Sequence, residues 1–237
     1  MKKNYILLFF ALILSGQLAG QYRWEAGAVV GLANYQGDLV EGTLPLFKEG
    51  NLSFGVGGRY LLNYNWAVRG NVLFGKLTGD DLNYTEAYRM DRAVSFENNF
   101  TELSVRLEWE PFGEQHYLSI NQSKSFFSPF LFFGPGFAFM NPELDFSRTK
   151  SEHILEWIER DQNESYFRNR LLLVAGLGVK YDVNDLWVVA FELGMRYAFT
   201  DYLDGVSISG TDSKRDWYSF GGISLFHRLP GTERAGE

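Results

Sequence analysis

The sequence predicts an all-β fold: an eight-stranded antiparallel transmembrane up-and-down β-barrel with both termini periplasmic. Three observations predict it. Segments of about ten residues alternate large apolar side chains with small or charged ones, the period of a strand whose faces meet different surroundings. The connections between them alternate long and short, apart from one of intermediate length, as in bacterial outer-membrane barrels with long external loops and tight periplasmic turns. Aromatic residues make up 17% of the chain, which has 25 glycines, yet mean hydropathy is only −0.18, because only alternate residues need be apolar.

The clearest segment is Asn184–Ser207. Trp187, Val189, Phe191, Leu193, Met195, Tyr197 and Phe199 form one register, against Val188, Ala190, Glu192, Gly194, Arg196 and Ala198. In a bilayer the first set meets lipid and the second lines a narrow lumen. Trp187 at one end and Tyr197 with Phe199 at the other stand where interfacial girdles belong.

In chain order, MKKNYILLFFALILSGQLAGQ has Lys2 and Lys3, an apolar core from Tyr5 to Leu14 and small residues near Gly20. It reads as a signal peptide over residues 1–20, with the core too short for a transmembrane helix and no Cys behind it to carry a lipid anchor. The barrel is expected over 21–228 and a short periplasmic tail over 229–237. Removing the two signal lysines takes the formal charge from −7 to −9, which argues against nucleic acid as a partner. The absence of Cys from all 237 residues excludes disulfides and thiolate metal sites.

The first strand carries Trp24, Ala26, Ala28, Val30 and Leu32 on one face, and the second, Asn51–Leu62, sets Leu52, Phe54, Val56 and Tyr60 against Ser53, Gly55, Gly57 and Arg59. Asn63–Asn65 turns tightly into Trp66–Lys76, a hairpin signature. Thr78–Val94 reads as a polar external loop. Phe96–Trp109 alternates with Glu102, Ser104, Arg106 and Glu108 inward. Pro111–Phe127 is the intermediate connection. Ser128–Met140 is apolar on both faces and is assigned as a strand from its neighbours. Asn141–Asn169 reads as the longest loop, with a short amphipathic helix around Trp157 behind Ser151. Arg170–Asp182 turns at Asn184-Asp185 into the seventh strand. Thr200–Asp216 is the last loop and Trp217–Arg228 the last strand, with Tyr218, Phe220 and Phe226 in one register. Phe226, with Tyr218 eight residues earlier, resembles a barrel-assembly signal.

The inward register collects Arg59, Arg69, Glu102, Arg106, Glu108, Lys180, Glu192 and Arg196. An eight-stranded barrel is only wide enough for side chains to fill, and buried charges must pair. A closed ionic plug follows, rather than a pore. His116, His153 and His227 fall at three separate places, and neither GxSxG nor HExxH occurs, so no catalytic residue is expected. The loop acids Asp201, Asp204, Asp212 and Asp216 lack EF-hand spacing. No metal site or cofactor is expected.

Several stretches resemble one family, the PorG-like outer-membrane proteins of the type IX secretion system of Bacteroidetes. These are Tyr35-Gln36-Gly37-Asp38, Ser95–Glu108, Ser128–Pro142, Gly176–Asp182 and above all Phe199–Ser207 (FTDYLDGVS). Tyr35, Gly37, Asp38, Asp201, Tyr202 and Asp204 match the family's loop motifs. The resemblance implies a non-enzymatic barrel that anchors or assembles a periplasmic ring lipoprotein and its partner, within outer-membrane lipid and beside other outer-membrane secretion components. The expected partner contact is the intermediate connection, with Gln115, His116, Tyr117, Asn121 and Lys124. The alternative is a stand-alone barrel acting as adhesin or minor channel through its external loops.

Overall fold

The computed structural model describes residues 23–36, 50–84, 86–120, 127–149, 169–199 and 217–229. Eight antiparallel strands close in sequence order: β1 (Trp24–Gln36), β2 (Asn51–Leu61), β3 (Trp66–Asp80), β4 (Ser95–Trp109), β5 (Phe127–Asp145), β6 (Asn169–Asp182), β7 (Trp187–Ala198) and β8 (Trp217–Leu229). Closure comes from β1 pairing with β8 from Trp24↔Leu229 to Gln36↔Trp217. A closed sheet has no open edge, which is what backbone polar groups at membrane depth require. Among the described residues, no helix is long and apolar enough to cross a membrane.

Two periplasmic turns share one geometry. Asn63 Oδ1 accepts from the backbone of Asn65 and Trp66, both at 2.9 Å. Asn184 Oδ1 does the same for Leu186 and Trp187, both at 2.9 Å. Each Asn thus replaces a turn hydrogen bond with its own side chain and launches a strand from an interfacial Trp. The outer wall pairs Trp24 with Tyr60, Trp66 with Trp109 and Phe127 with Tyr181 at the periplasmic end. Phe54 with Phe74, and Tyr197 with Phe199, mark the external end. Between these girdles the outward side chains are apolar and exposed, among them Val56, Val105, Leu107, Leu177, Phe191 and Ile223.

Three strands run beyond their expected ends. β3 continues to Asp80, β4 begins at Ser95 and β5 continues to Asp145, where loops were expected from Thr78 and Asn141. The reason is an inversion of the pattern above the bilayer. Outward Lys76, Glu97, Asn99, Asn141 and Glu143 are polar, while inward Leu77, Phe96 and Met140 are buried. The connection from Asp81 holds a 3-10 turn and a short helix, α1 (Ala87–Arg92), ended by Ala93 in the left-handed region with φ 46°. The intermediate connection contains helix α2 (Gly113–Ile120), opened by Glu114 in its first turn, where a carboxylate suits the helix dipole. Residues 1–20 and 230–237, most of the loops containing Gly37, Asp38, Asp201, Tyr202 and Asp204, and the helix expected around Trp157 lie outside the described residues. Leu229 itself belongs to β8 rather than to the tail.

The last strand carries its aromatic register inward. Tyr218, Phe220 and Phe226 point inward and are buried, while Ile223, Leu225 and Leu229 face out. Inward rings fit because glycines face them. A Cβ at Gly27 would lie 2.8 Å from Phe226 Cγ, and one at Gly176 would lie 2.4 Å from Phe132 Cζ. Large-against-small packing also places Phe130 and Phe132 inside β5, the strand whose two apolar faces gave no period.

Candidate functional site: the sealed lumen

All eight charged residues of the inward register lie in the lumen with 2% or less of their surface exposed. Their strands bring them together in three layers. In the periplasmic layer, Arg228 Nη2 reaches Asp182 Oδ1 at 2.5 Å and its Nε reaches Glu25 at 3.3 Å. Lys180 Nζ reaches Glu110 at 2.6 Å, and Arg59 pairs with Glu25. In the middle layer, Arg59 Nε is 2.7 Å from Glu108, while Arg69 and Arg106 converge on Glu192 Oε2 at 2.9 and 3.1 Å. In the external layer, Arg196 meets Glu102 at 3.2 Å and Tyr218 donates its hydroxyl hydrogen to the same carboxylate at 2.6 Å.

Aromatic rings complete the packing. The guanidinium of Arg59 lies 4.6 Å and that of Arg69 4.5 Å from the centre of the Phe226 ring, and Arg106 stands 4.3 Å from that of Phe132. These cation–π contacts add attraction to guanidiniums buried from bulk solvent. Beyond them, toward the external end, Tyr35, Leu77, Val94, Phe96, Phe100, Met140 and Leu172 form one buried apolar cluster, with Gln36, Asn98 and Arg170 buried at the same end. Over it sits a rim clasp. Buried Asp81 accepts from Arg92 Nε at 2.7 Å and Nη2 at 2.8 Å, and from the Val94 backbone at 3.2 Å.

The periplasmic mouth is closed by α2. His116 is fully buried, with Nδ1 against Glu110 and Nε2 2.7 Å from Asp182 Oδ2. Burial pulls the imidazole pKa down, but the contacts with Asp182 and Glu110 overcome this and hold it above its ordinary value. Burial likewise pushes Glu110 up, yet Lys180 and His116 bring it down to about 2. The tyrosine beside the histidine, Tyr117, stacks on Tyr64 with ring centroids 6.3 Å apart.

Glu25, Glu110, His116, Asp182, Tyr218 and Arg228 belong to this lattice, although the sequence pattern did not assign them to the lumen network; His116 was expected at the partner contact and Tyr218 only as part of an aromatic register. Glu25 and Asp182 sit in inward registers that the same period-two count reaches. Arg228 shares the register of Phe226. His116 and Glu110 lie outside any strand, and no local pattern marks them. Of the expected partner-contact residues, Gln115 is exposed and Tyr117 half-buried, whereas His116 presents no surface. Asn121 and Lys124 lie outside the described residues. Tyr35, matched to a loop motif, is instead the penultimate residue of β1, buried against Phe96 with ring centroids 4.8 Å apart.

One surface hollow, about 740 Å³, is a shallow apolar groove on the wall, lined by Ala26, Gly58, Gly70, Val105 and Pro135 among others. It lies on the lipid-facing side rather than in the lumen. Among the described residues no group of His, Asp and Glu has the arrangement of a metal site.

A closed eight-stranded barrel with an apolar outer band, aromatic girdles and a filled interior defines an outer-membrane β-barrel protein of a Gram-negative bacterium. The chain belongs to the family described as a domain of unknown function, DUF6089, which matches residues 2–231. No curated protein matches it. Solved structures similar to it include neisserial surface protein A, at 10% identity and TM-score 0.48, covering 87% of this chain and 97% of that one. A major outer membrane protein from Thermus thermophilus is 13% identical with TM-score 0.45, covering 87% and 99%. The attachment invasion locus protein Ail of Yersinia pestis, solved with the heparin analogue sucrose octasulfate, is 13% identical with TM-score 0.44, again covering 87% and 99%.

Proposed function

We propose that this protein is a non-enzymatic component of the type IX protein secretion machinery, anchoring or assembling the periplasmic lipoprotein ring at the outer membrane. The observation that carries the reading is the side-chain lattice crossing the lumen, in which Arg69 of β3 and Arg106 of β4 share Glu192 of β7. A barrel filled in this way works through its surfaces rather than through a channel. The resemblance of YQGD, GVKYD and FTDYLDGVS to the PorG-like proteins supplies the choice of machine.

On this reading the ring contact is the periplasmic face, made by α2 and the turns at Asn63 and Asn184. Exposed Gln115 and Glu114 on α2 are the side chains to change. Removing the gene is expected to block export of type IX cargo. Replacing Glu114 and Gln115 by Arg is expected to lower recovery of the ring lipoprotein with the barrel while leaving its heat-modifiable migration unchanged. Normal cargo export in the deletion strain would instead favour a stand-alone adhesin-type barrel and overturn the proposal.

A further inference from the structure

The periplasmic mouth contains an arrangement that the anchoring role does not use. His116 is buried on α2, and both of its ring nitrogens face carboxylates, Glu110 just before the helix and Asp182 at the end of β6. A neutral imidazole has one donor and one acceptor nitrogen, and its acceptor cannot face a carboxylate oxygen at 2.7 Å without lone-pair repulsion. Two carboxylates set against the two ring nitrogens favour the doubly protonated ring, the imidazolium.

We infer that α2 is a proton-locked lid on the periplasmic mouth of the barrel, seated while His116 is doubly protonated and released when it loses a proton. The charged groups around the ring explain why the change stays local. Glu110 keeps Lys180 at 2.6 Å, and Asp182 keeps Arg228 at 2.5 Å, whatever the state of the histidine. Glu25 and Arg59 lie one step further in, tied to Arg228 and to each other. Tyr117, the other titratable side chain on the buried side of α2, has its pKa raised well above 10 by burial and by Glu25 and Glu110, so it stays protonated where the histidine titrates. Release of the helix opens the mouth to water as far as the Arg59–Glu108 layer, while the apolar cluster under the Asp81 clasp keeps the external end shut.

The sign follows from linkage. A group held above its unfolded pKa contributes docking that is complete below the unfolded value and is lost as pH rises through the folded one. Hydrogen exchange of the α2 amides, measured on the full chain in lipid nanodiscs from pH 6 to 10 and corrected for intrinsic rate, reads this directly. Protection is expected to fall by up to about tenfold per pH unit between the pKa of the released imidazolium and that of the docked one, with one proton released, and to level off above the docked value. Strand amides are expected to keep theirs. His116→Gln is expected to show low α2 protection without that slope. In the unaltered protein, the ¹⁵N shifts of the His116 ring are expected to report two protonated nitrogens at pH 7. A single protonated nitrogen, pH-independent α2 protection, or the same slope in His116→Gln would overturn the inference.

Discussion

Arg69 on β3 and Glu192 on β7 meet at 2.9 Å across the lumen, although 123 residues separate them in the chain. The two strands stand on opposite sides of the closed wall, so the pair is a strut across its diameter. An eight-stranded barrel is just narrow enough for two side chains to span. Arg106 shares the carboxylate, so Glu192 compensates two guanidiniums at once.

Removing Glu192 leaves Arg69 and Arg106 buried with too little negative charge. Glu192→Ala is expected to destabilise the barrel by about 3–5 kcal/mol, the usual loss when one member of a buried pair is deleted. It should lower the temperature at which heat-modifiable migration is lost. Glu97→Ala removes the half-exposed pair with Lys76 and is expected to shift stability by about 0–1 kcal/mol.

Tyr218 is a buried donor to Glu102 at 2.6 Å, and Glu102 keeps Arg196 as a second partner. Tyr218→Phe is therefore expected to cost about 1–3 kcal/mol in the same melting assay. A Tyr218→Phe/Arg196→Met double variant is expected to lose more than the sum, because Glu102 then keeps neither of these two donors.

Gly113 begins α2 against the turn between β2 and β3. A Cβ there would lie 1.7 Å from the Tyr64 carbonyl oxygen, and backbone cannot yield as a side-chain tip can. Gly113→Val is expected to unseat α2, raising protease cleavage within 113–120 while the strands retain their melting temperature.

Glu110 sets an acid limit opposite to the alkaline one at His116. Its folded pKa, about 2, lies below the ordinary 4.5. The stability it contributes is complete above about 4.5 and is lost as pH falls through about 2. Hydrogen-exchange protection of α2 is expected to decline across that interval, and Glu110→Gln is expected to flatten the decline.

The fold was legible because lipid imposes one rule on each strand. Phe191, Leu193 and Met195 face out, and Glu192, Gly194 and Arg196 face in, as period two requires. The same rule located eight of the lumen charges. It failed where the surroundings of the wall change. Above the bilayer, Leu77 and Met140 turn inward under polar outer faces, so a reading tuned to lipid ended β3 and β5 early. In β8 the pattern left the faces open: Phe220 and Phe226 are inward where Gly31 and Gly27 of the neighbouring β1 leave room, and no single-strand pattern records what stands on the next strand.

By itself, the sequence determined strand number, order and orientation, and a filled lumen, since these follow from local alternation, connection length and the width of eight strands. Only the tertiary structure decided which charges pair, that His116 is enclosed between Glu110 and Asp182, and that α2 closes the mouth. The charge pairs join β1, β2, β3, β4, β6, β7 and β8 across a curved wall, and closure of the sheet, not proximity in the chain, brings them within hydrogen-bonding distance.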